Sequence, residues 1–265
     1  LRMWTRCHLI VRDFALGAPL AEITETMTLL AEVALRHAHD VLHAALVERY
    51  GQPLSPTGWE QELLVVGMGK LGGRELNVSS DIDLIFIYPE DGDTGGRKSI
   101  SNYEFFEKLG KQLIQALAEI TEHGQVFRVD MRLRPNGDSG PLVCCFDMLE
   151  NYFVTQGREW ERYAWIKARV MLGARWPELE QLARPFVFRK YLDFGAINAM
   201  RELHAQIRRE VARRERANNV KLGPGGIREI EFIAQVFQLI RGGRDTALQV
   251  RPTLKVLALL PERGI

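Results

Sequence analysis

The sequence has few cysteines, no long apolar segment and almost no excess of charge. Its three cysteines are Cys7 and the adjacent Cys144 and Cys145, so no disulfide framework is indicated and we expect a reducing cytoplasm. No apolar run approaches the roughly 18 residues of a membrane span, so we expect no membrane contact. The net charge of +1 gives no basic footprint for nucleic-acid binding. The opening residues lack the apolar core of a signal peptide, and we expect a piece of a longer protein.

A glycine-rich segment, Gly67-Met-Gly-Lys-Leu-Gly-Gly73, follows a short apolar run at residues 63–66. Such a run is typical of a buried strand, and glycines after it allow backbone N–H groups to close around phosphate oxygens. The candidate phosphate-binding residues are Gly69, Lys70, Gly72 and Gly73.

Two better-known phosphate loops do not fit this segment. Its G-x-G-x-x-G spacing matches the dinucleotide fingerprint, but that motif needs a crossover helix of about a dozen residues before the next parallel strand. Only the seven residues 74–80 separate Gly73 from Asp81. A P-loop is also excluded, because Lys70 is followed by leucine.

Two carboxylates open the next apolar segment, residues 82–88, which is rich in strand-forming residues and stopped by Pro89. Asp81 and Asp83 should project from one face, because side chains alternate along a strand. Paired carboxylate oxygens beside a phosphate-binding turn predict a nucleotide–Mg²⁺ site. In the alternative interpretation, Asp81 begins the strand and Asp83 pairs with a lysine.

A third carboxylate, Asp130, lies in the alternating segment 125–134, which predicts a strand. Arg128, Arg132 and Arg134 share its face, and a surface edge is the simplest reading of that face alone. Beside two further aspartates, however, Asp130 fits a site in which carboxylates hold two metal ions and arginine forks bind phosphate. The arginines have an alternative role as salt-bridge partners of the aspartates. Residues 140–146 are predicted to form a return strand after a turn.

These motifs resemble the nucleotidyltransferase superfamily that includes DNA polymerase β. Within it, residues 67–76, 79–84 and 129–135 are similar to the bacterial family of bifunctional glutamine synthetase adenylyltransferase/adenylyl-removing enzymes. The resemblance implies an α+β fold with a polymerase β-like mixed sheet core at residues 59–146. An N-terminal helical segment, 1–58, and a C-terminal helical region, 147–265, would flank it, and Ser80 would join the nucleotide-binding residues.

The family carries two nucleotidyltransferase domains, and residues 157–163, 167–169 and 221–232 resemble its N-terminal, adenylyl-removing half. That resemblance implies phosphorolysis, in which orthophosphate attacks the AMP phosphorus of an adenylylated tyrosine on glutamine synthetase. The products would be ADP and the reactivated synthetase. Asp81, Asp83 and Asp130 would hold two Mg²⁺ ions, and Mn²⁺ also suits oxygen ligands. The resemblance also implies regulation by the uridylylated PII signal protein.

Further charged residues downstream are weaker candidates for the site. Glu161, Lys167 and Arg169 have spacings that place several charged groups on one side of a predicted helix, although such runs are usually solvated faces. Glu231 lies on a predicted helix that a glycine-rich segment at 223–226 precedes, and a helix N-terminal charge effect is its simpler role. The arginine-rich stretch 201–216 predicts a solvated helix or a docking surface.

Two other functions remain open at the level of sequence. An adenylylating nucleotidyltransferase that uses ATP would have the same fold and metal ligands, and dependence on orthophosphate would separate it from the adenylyl-removing activity. A non-catalytic regulatory module that binds nucleotide is the other alternative. Three converging carboxylates argue against that module, because binding alone does not require them.

Overall fold

The computed structural model describes residues 2–122, 124–190, 202, 205, 219–221, 223 and 225–264. The chain divides into two compact units, and each is described by itself. The first comprises Leu1–Tyr152 and Lys167–Leu179, and the second comprises Phe153–Ile166 and Glu180–Ile265. The mixture of helices and sheet confirms the predicted α+β class. The three segment boundaries predicted from the sequence stay predictions.

Two helices begin the first unit: α1 (Arg2–Phe14) and α2 (Leu20–Tyr50). Both lie within the N-terminal segment, residues 1–58, that the resemblance predicts to be helical. The buried positions of α2 include Ile23, Met27 and Leu30, whose spacing of three and four residues gives one apolar face. Helix α2 ends at Gly51, which adopts a φ of +88° that side chains rarely allow.

Within the described residues, the first unit contains a five-stranded mixed sheet and a small two-stranded sheet. In the mixed sheet, β3 lies at the centre, antiparallel to β2 on one edge and parallel to both β5 and β6 on the other. Strand β7 extends the sheet antiparallel to β2, and β1 pairs with β4 separately. The strands are β1 (Pro53–Leu54), β2 (Leu64–Gly67), β3 (Ile82–Tyr88), β4 (Asp93–Thr94), β5 (Val129–Asp130), β6 (Val143–Cys145) and β7 (Arg169–Leu172).

The core of this unit lies between the sheet and two helices, α2 and α4 (Asn102–Ala118). Helix α4 begins where the Ser101 hydroxyl accepts a hydrogen bond from the Glu104 N–H, a capping contact of 3.2 Å. Phe86 and Tyr88 of β3 belong to the same apolar cluster as these helices, while Ile85 on the other face of β3 is also buried. Because β3 is apolar on both faces, it is fixed firmly in the middle of the sheet.

The short helix α3 (Gly69–Gly72) directly follows β2, and α5 (Phe146–Thr155) directly follows β6. In the second unit, aromatic side chains of Phe153, Trp165 and Phe186 pack together. The helices beyond α5 are α6 (Glu159–Trp165), α7 (Trp176–Val187), α8 (Ile227–Arg241) and α9 (Thr253–Glu262). In the described part of the chain, no helix is long and apolar enough to cross a membrane.

Three predictions about secondary structure were wrong. The strand predicted at 125–134 contains only Val129–Asp130, because the chain turns at residues 131–136 and Asn136 takes a φ of +61°. Strand β6 does not return against β5 but pairs in parallel with β3. The region after residue 147, predicted as helical, also contains strand β7, whose backbone pairs with β2. The stretch 201–216 lies outside the described residues except for positions 202 and 205.

Candidate active site

Three carboxylates lie near the start of the central strand β3: one on this strand, one just before it and one on the neighbouring strand β5. The parallel register pairs Asp83 of β3 directly with Asp130 of β5, so their side chains leave the sheet on one side. Asp81 immediately precedes β3, and the Ile82 N–H donates to the Arg128 carbonyl at 2.9 Å, which holds the two strands together at this point. We call Asp81, Asp83 and Asp130 the acidic cluster.

The glycine turn, residues 67–73, lies directly against the acidic cluster. The Met68 N–H donates to the Asp83 carbonyl at 2.9 Å, which fixes the beginning of the turn beside β3. Gly69 has a φ of +51°, and a Cβ added there would lie 3.1 Å from the Asp83 Oδ2 atom. A side chain at position 69 would therefore be strained and would also press on this carboxylate. The sequence-based prediction that this segment adjoins the aspartates agrees with this geometry.

The far end of the glycine turn is held by Arg169 of β7. Its Nε donates to the Gly72 carbonyl and its Nη2 to the Leu71 carbonyl, both at 3.1 Å. The Nη1 atom lies 2.7 Å from the Glu32 carboxylate of α2. A four-residue helix has too few internal hydrogen bonds to be stable by itself, so these contacts determine where α3 lies.

Lys167 supports the same end of the turn from another side. A Cβ at Gly72 would lie 1.8 Å from the Lys167 carbonyl oxygen, so the two backbones can approach this closely only with glycine there. The Lys167 ammonium, whose side chain is 7% exposed, forms an ion pair with Glu75. The prediction that Lys167 and Arg169 share a helical face was wrong, because α6 ends at Trp165 and Arg169 lies on a strand.

Arginines pair with two members of the acidic cluster, Asp81 and Asp130, which we call its outer carboxylates. The Arg128 Nε donates to Asp81, and its Nη2 donates to the Ser79 carbonyl at 3.0 Å. The Arg132 Nε donates to both oxygens of Asp130 at 3.0 and 2.9 Å, and the Arg132 backbone N–H donates to the same carboxylate at 2.9 Å. The hydrogen bond from the Arg132 guanidinium lowers the pKa of Asp130, so this carboxylate is ionised at neutral pH.

The remaining predicted phosphate-binding side chains have different surroundings. Arg134 turns back on its own chain, because its Nη1 donates to the Met131 carbonyl at 2.8 Å, and its side chain is only 13% exposed. The Ser80 hydroxyl donates to the Asn77 Oδ1 at 2.6 Å in the loop before Asp81. Lys70 lies half-buried on α3. Lys70 belongs to the glycine turn, and Ser80 directly precedes Asp81 of the acidic cluster.

Two weaker candidates lie in the second unit. The Glu161 carboxylate is buried and accepts the Arg158 N–H at 2.9 Å, so it caps the first turn of α6. Glu231 is half-buried on α8. The pKa of Tyr163 is raised by the burial of Tyr163 itself and, to a smaller extent, by the charge of Glu231. The neighbouring Glu229 accepts the Gly225 N–H at 2.8 Å at the beginning of that helix. Glu161 therefore has a clear structural role.

The acidic cluster suits a divalent cation by its chemistry and backbone placement. Carboxylate oxygens are the ligands that Mg²⁺ and Mn²⁺ prefer, and Asp83 and Asp130 lie side by side. In the conformation of the described residues, however, no group of three His, Cys, Asp or Glu side chains is ready to hold a metal ion. Two of these carboxylates, Asp81 and Asp130, are paired with arginines in this conformation.

Glu32 and Glu75 are residues of this region that sequence reasoning missed. Both act through tertiary contacts, since each pairs with a basic residue near β7 that is distant in the chain. No local pattern marks them, because Glu32 belongs to an ordinary amphipathic helix and Glu75 to a short polar link.

Comparisons with known proteins agree with these observations. A family model described as glutamate-ammonia ligase adenylyltransferase matches residues 1–184, and one described as GlnD PII-uridylyltransferase matches residues 201–265. A protein of Aromatoleum aromaticum is 79% identical over 265 residues, which are 100% of this chain and 28% of that protein. One from Nitrosomonas europaea is 60% identical over 269 residues, covering 99% of this chain and 29% of its own.

A protein of Neisseria meningitidis serogroup B is 56% identical over 267 residues, which cover 100% of this chain and 30% of that protein. All three relatives are named bifunctional glutamine synthetase adenylyltransferase/adenylyl-removing enzyme. This chain therefore spans less than a third of their length. With a family model matching most of its residues, the chain belongs to the glutamate-ammonia ligase adenylyltransferase family.

Proposed function

We propose that this chain removes AMP from an adenylylated tyrosine of glutamine synthetase by metal-dependent phosphorolysis. An orthophosphate oxygen would attack the AMP phosphorus, and the bond from phosphorus to the tyrosine oxygen would break. The products would be ADP and a tyrosine phenolate, which then takes up a proton. The name of the relatives, which includes both glutamine synthetase and adenylyl removal, supports the choice of substrate.

The observation that carries this proposal is the pairing of Asp83 with Asp130 on adjacent parallel strands, with Asp81 beside them and the glycine turn against Asp83. Nucleotidyl transfer needs positioned phosphates and neutralised charge more than covalent participation by the protein. The acidic cluster would hold Mg²⁺ or Mn²⁺. When bound, the metal would neutralise charge on the phosphates and polarise the oxygens between which the nucleotidyl group passes.

The other residues of the site would position the reactants. The backbone of the glycine turn, together with Lys70, would bind phosphate oxygens. Arg132, whose side chain is 74% exposed, would contact the attacking orthophosphate, which must approach an already anionic phosphodiester. Arg169 and Lys167 would keep the glycine turn in place.

The assignment to adenylyl removal rests on resemblance at residues 157–163, 167–169 and 221–232. The second candidate is transfer of AMP from ATP to unmodified glutamine synthetase, which the same site geometry permits. The relatives are named for both activities, and the matching family model is named for the transfer. Regulation by the uridylylated PII protein is a further proposal that the resemblance alone supports.

The test is to incubate the chain with adenylylated glutamine synthetase and Mg²⁺, with and without orthophosphate, and to identify the nucleotide released. We expect ADP only when orthophosphate is present, and no release by the Asp83→Asn variant. Glutamine synthetase activity should recover in parallel. Transfer of AMP from ATP to unmodified synthetase, with no release in either buffer, would instead assign the chain to the adenylylating half.

A further inference from the structure

Each outer carboxylate of the acidic cluster is held by an arginine from the segment around β5. Arg128 pairs with Asp81, and Arg132 holds both oxygens of Asp130. The arginines flank Asp130 at two residues on either side, so one short segment supplies both of them and the third carboxylate as well. Arg132 also lies in the electrostatic field of Asp83. The cluster thus carries two positive charges placed against three negative ones.

These pairs occupy one oxygen of Asp81 and both oxygens of Asp130, which would be ligands of the divalent cation. The backbone register already places Asp83 beside Asp130, so the strands themselves need no movement. Yet, as the side chains stand in the described residues, no three ligating groups are arranged to hold a metal ion. The Asp81 and Asp130 side chains are instead paired with Arg128 and Arg132.

The two pairs differ in how easily they open. The guanidinium groups are largely exposed, at 64% for the Arg128 side chain and 74% for that of Arg132, but Asp81 is 49% exposed and Asp130 only 19%. Exposed ion pairs contribute little to stability, so the Arg128–Asp81 pair opens at low cost. Release of Arg132 leaves a largely buried carboxylate, which needs the charge of the cation in its place. Arg134 differs, since its side chain is only 13% exposed and donates to the Met131 carbonyl within the turn.

We infer that Arg128 and Arg132 substitute for the divalent cation in its absence and that cation binding releases them to contact phosphate oxygens of the reactants. This inference rests on the proposed function, because it concerns the metal ligands and the phosphates of that reaction. Once its carboxylate is taken by the cation, each freed guanidinium remains beside the site and presents a fork that fits phosphate. The same two arginines thus serve both states of the site.

The exchange makes cation and orthophosphate binding cooperative. A cation releases the arginines that bind orthophosphate, and orthophosphate holds the arginines away from the carboxylates that bind the cation. Because coupling between two ligands is reciprocal, each should strengthen the binding of the other by the same factor. A site without the arginine pairs would bind the cation more tightly when orthophosphate is absent. Orthophosphate would then strengthen cation binding less than it does in the wild-type site.

The test is a titration of the 265-residue chain with Mn²⁺, followed by electron paramagnetic resonance, with and without orthophosphate at equal free Mn²⁺. In the absence of orthophosphate, Arg132→Gln should tighten Mn²⁺ binding about three- to tenfold, because an ion pair and a repelling charge are removed together. Orthophosphate should tighten Mn²⁺ binding by the wild-type chain and much less by this variant. Arg132→Lys keeps the positive charge but lacks the forked guanidinium. Its Mn²⁺ affinity, and the effect of orthophosphate on it, should lie between those of the wild-type chain and Arg132→Gln.

The matched control is Arg97→Gln, which removes the same charge from an exposed loop beyond the other end of β3. It should leave Mn²⁺ affinity unchanged. Arg128→Gln tests the second pair independently and should also tighten Mn²⁺ binding. Circular dichroism would verify that each variant is folded.

Three results would overturn the inference: unchanged or weaker Mn²⁺ binding by both Arg132→Gln and Arg128→Gln, equal tightening by Arg97→Gln, or no effect of orthophosphate on the wild-type chain. The proposed function fails separately, and the inference with it, if the wild-type chain binds no Mn²⁺ or if Asp83→Asn leaves its affinity unchanged. Binding of Mn²⁺ needs no adenylylated substrate, so these failures are distinguishable.

Discussion

Replacing Gly69 by alanine tests how the glycine turn serves the acidic cluster. The new methyl group would meet the Asp83 Oδ2 at 3.1 Å, a distance at which one of the two must shift. The residue would also have to keep a φ of +51°, which costs an alanine about 1–2 kcal/mol. The substitution therefore has a backbone effect and a contact effect, and a second glycine allows them to be separated.

Gly58 is that control, because it has a φ of +85° and no heavy atom within 4 Å of the position of an added Cβ. Gly58→Ala should carry the backbone cost alone, so both variants should unfold at lower temperature, by about 2–4 °C for each kcal/mol lost. Only Gly69→Ala displaces a carboxylate of the site. The contact at 3.1 Å requires Asp83 to move by a few tenths of an ångström. Since a misplacement of about 1 Å can cost a hundredfold in rate, we expect the activity of Gly69→Ala to fall about two- to tenfold.

The assay is the rate of AMP removal from adenylylated glutamine synthetase at saturating orthophosphate, together with thermal unfolding of both variants. Gly58→Ala should keep nearly the wild-type rate despite its lower stability. If Gly69→Ala retained the wild-type rate, or if the two variants lost activity equally, the reasoning about the methyl group and Asp83 would be refuted.

Three further predictions concern the support of the site. Arg169→Met should lower the free energy of unfolding by about 1.5–3 kcal/mol and reduce kcat, since the Leu71 and Gly72 carbonyls lose hydrogen bonds to a charged group. Arg169→Lys should recover part of this stability. An unchanged kcat in both variants would contradict the positioning role of Arg169. The hydrogen bond from Arg132 lowers the pKa of Asp130 in the folded chain, so the stability difference between wild type and Asp130→Asn should be fully present above the usual pKa of 3.8. It should be lost as pH falls from there through the lowered folded-state pKa, measured by denaturant unfolding, and a difference that grows in acid would have the wrong sign. Glu161→Ala should cost about 1 kcal/mol of unfolding free energy, because α6 loses its capping contact, without changing the KM for the adenylylated synthetase.

Much of the fold could be predicted because several segments have unambiguous local patterns. Strand β3 is apolar on both faces and ends at Pro89, and helix α2 repeats its buried positions every three or four residues. Strand β5 was predicted too long, since alternation continues through residues 131–134 while the chain turns away after Asp130. Strand β7 was missed, because four residues between helical segments carry too little pattern and its pairing with β2 is a tertiary contact.

The closeness of the carboxylates in the candidate site was predictable from the sequence, and the residues that support the glycine turn were less so; the role of the carboxylates as metal ligands stays a prediction. Asp83 and Asp130 were predicted to lie close together because a two-metal site needs about three carboxylates. The parallel register of β3 and β5 pairs these two residues. The sequence left two roles open for the arginines around Asp130, phosphate binding and ion pairing with the aspartates. Both roles are compatible with the same spacing of residues in the sequence. Arg169 was assigned to a helical face, yet it acts from a strand on carbonyls and on Glu32, which only the tertiary structure brings within reach.

Phosphorolysis can be tested directly by incubating radiolabelled orthophosphate with adenylylated glutamine synthetase, Mg²⁺ and this chain. We predict that the label appears in the terminal phosphate of ADP, in an amount equal to the tyrosine residues freed of AMP. Asp83→Asn should give no labelled product while remaining folded. Release of unlabelled AMP would show hydrolysis instead and would contradict the account.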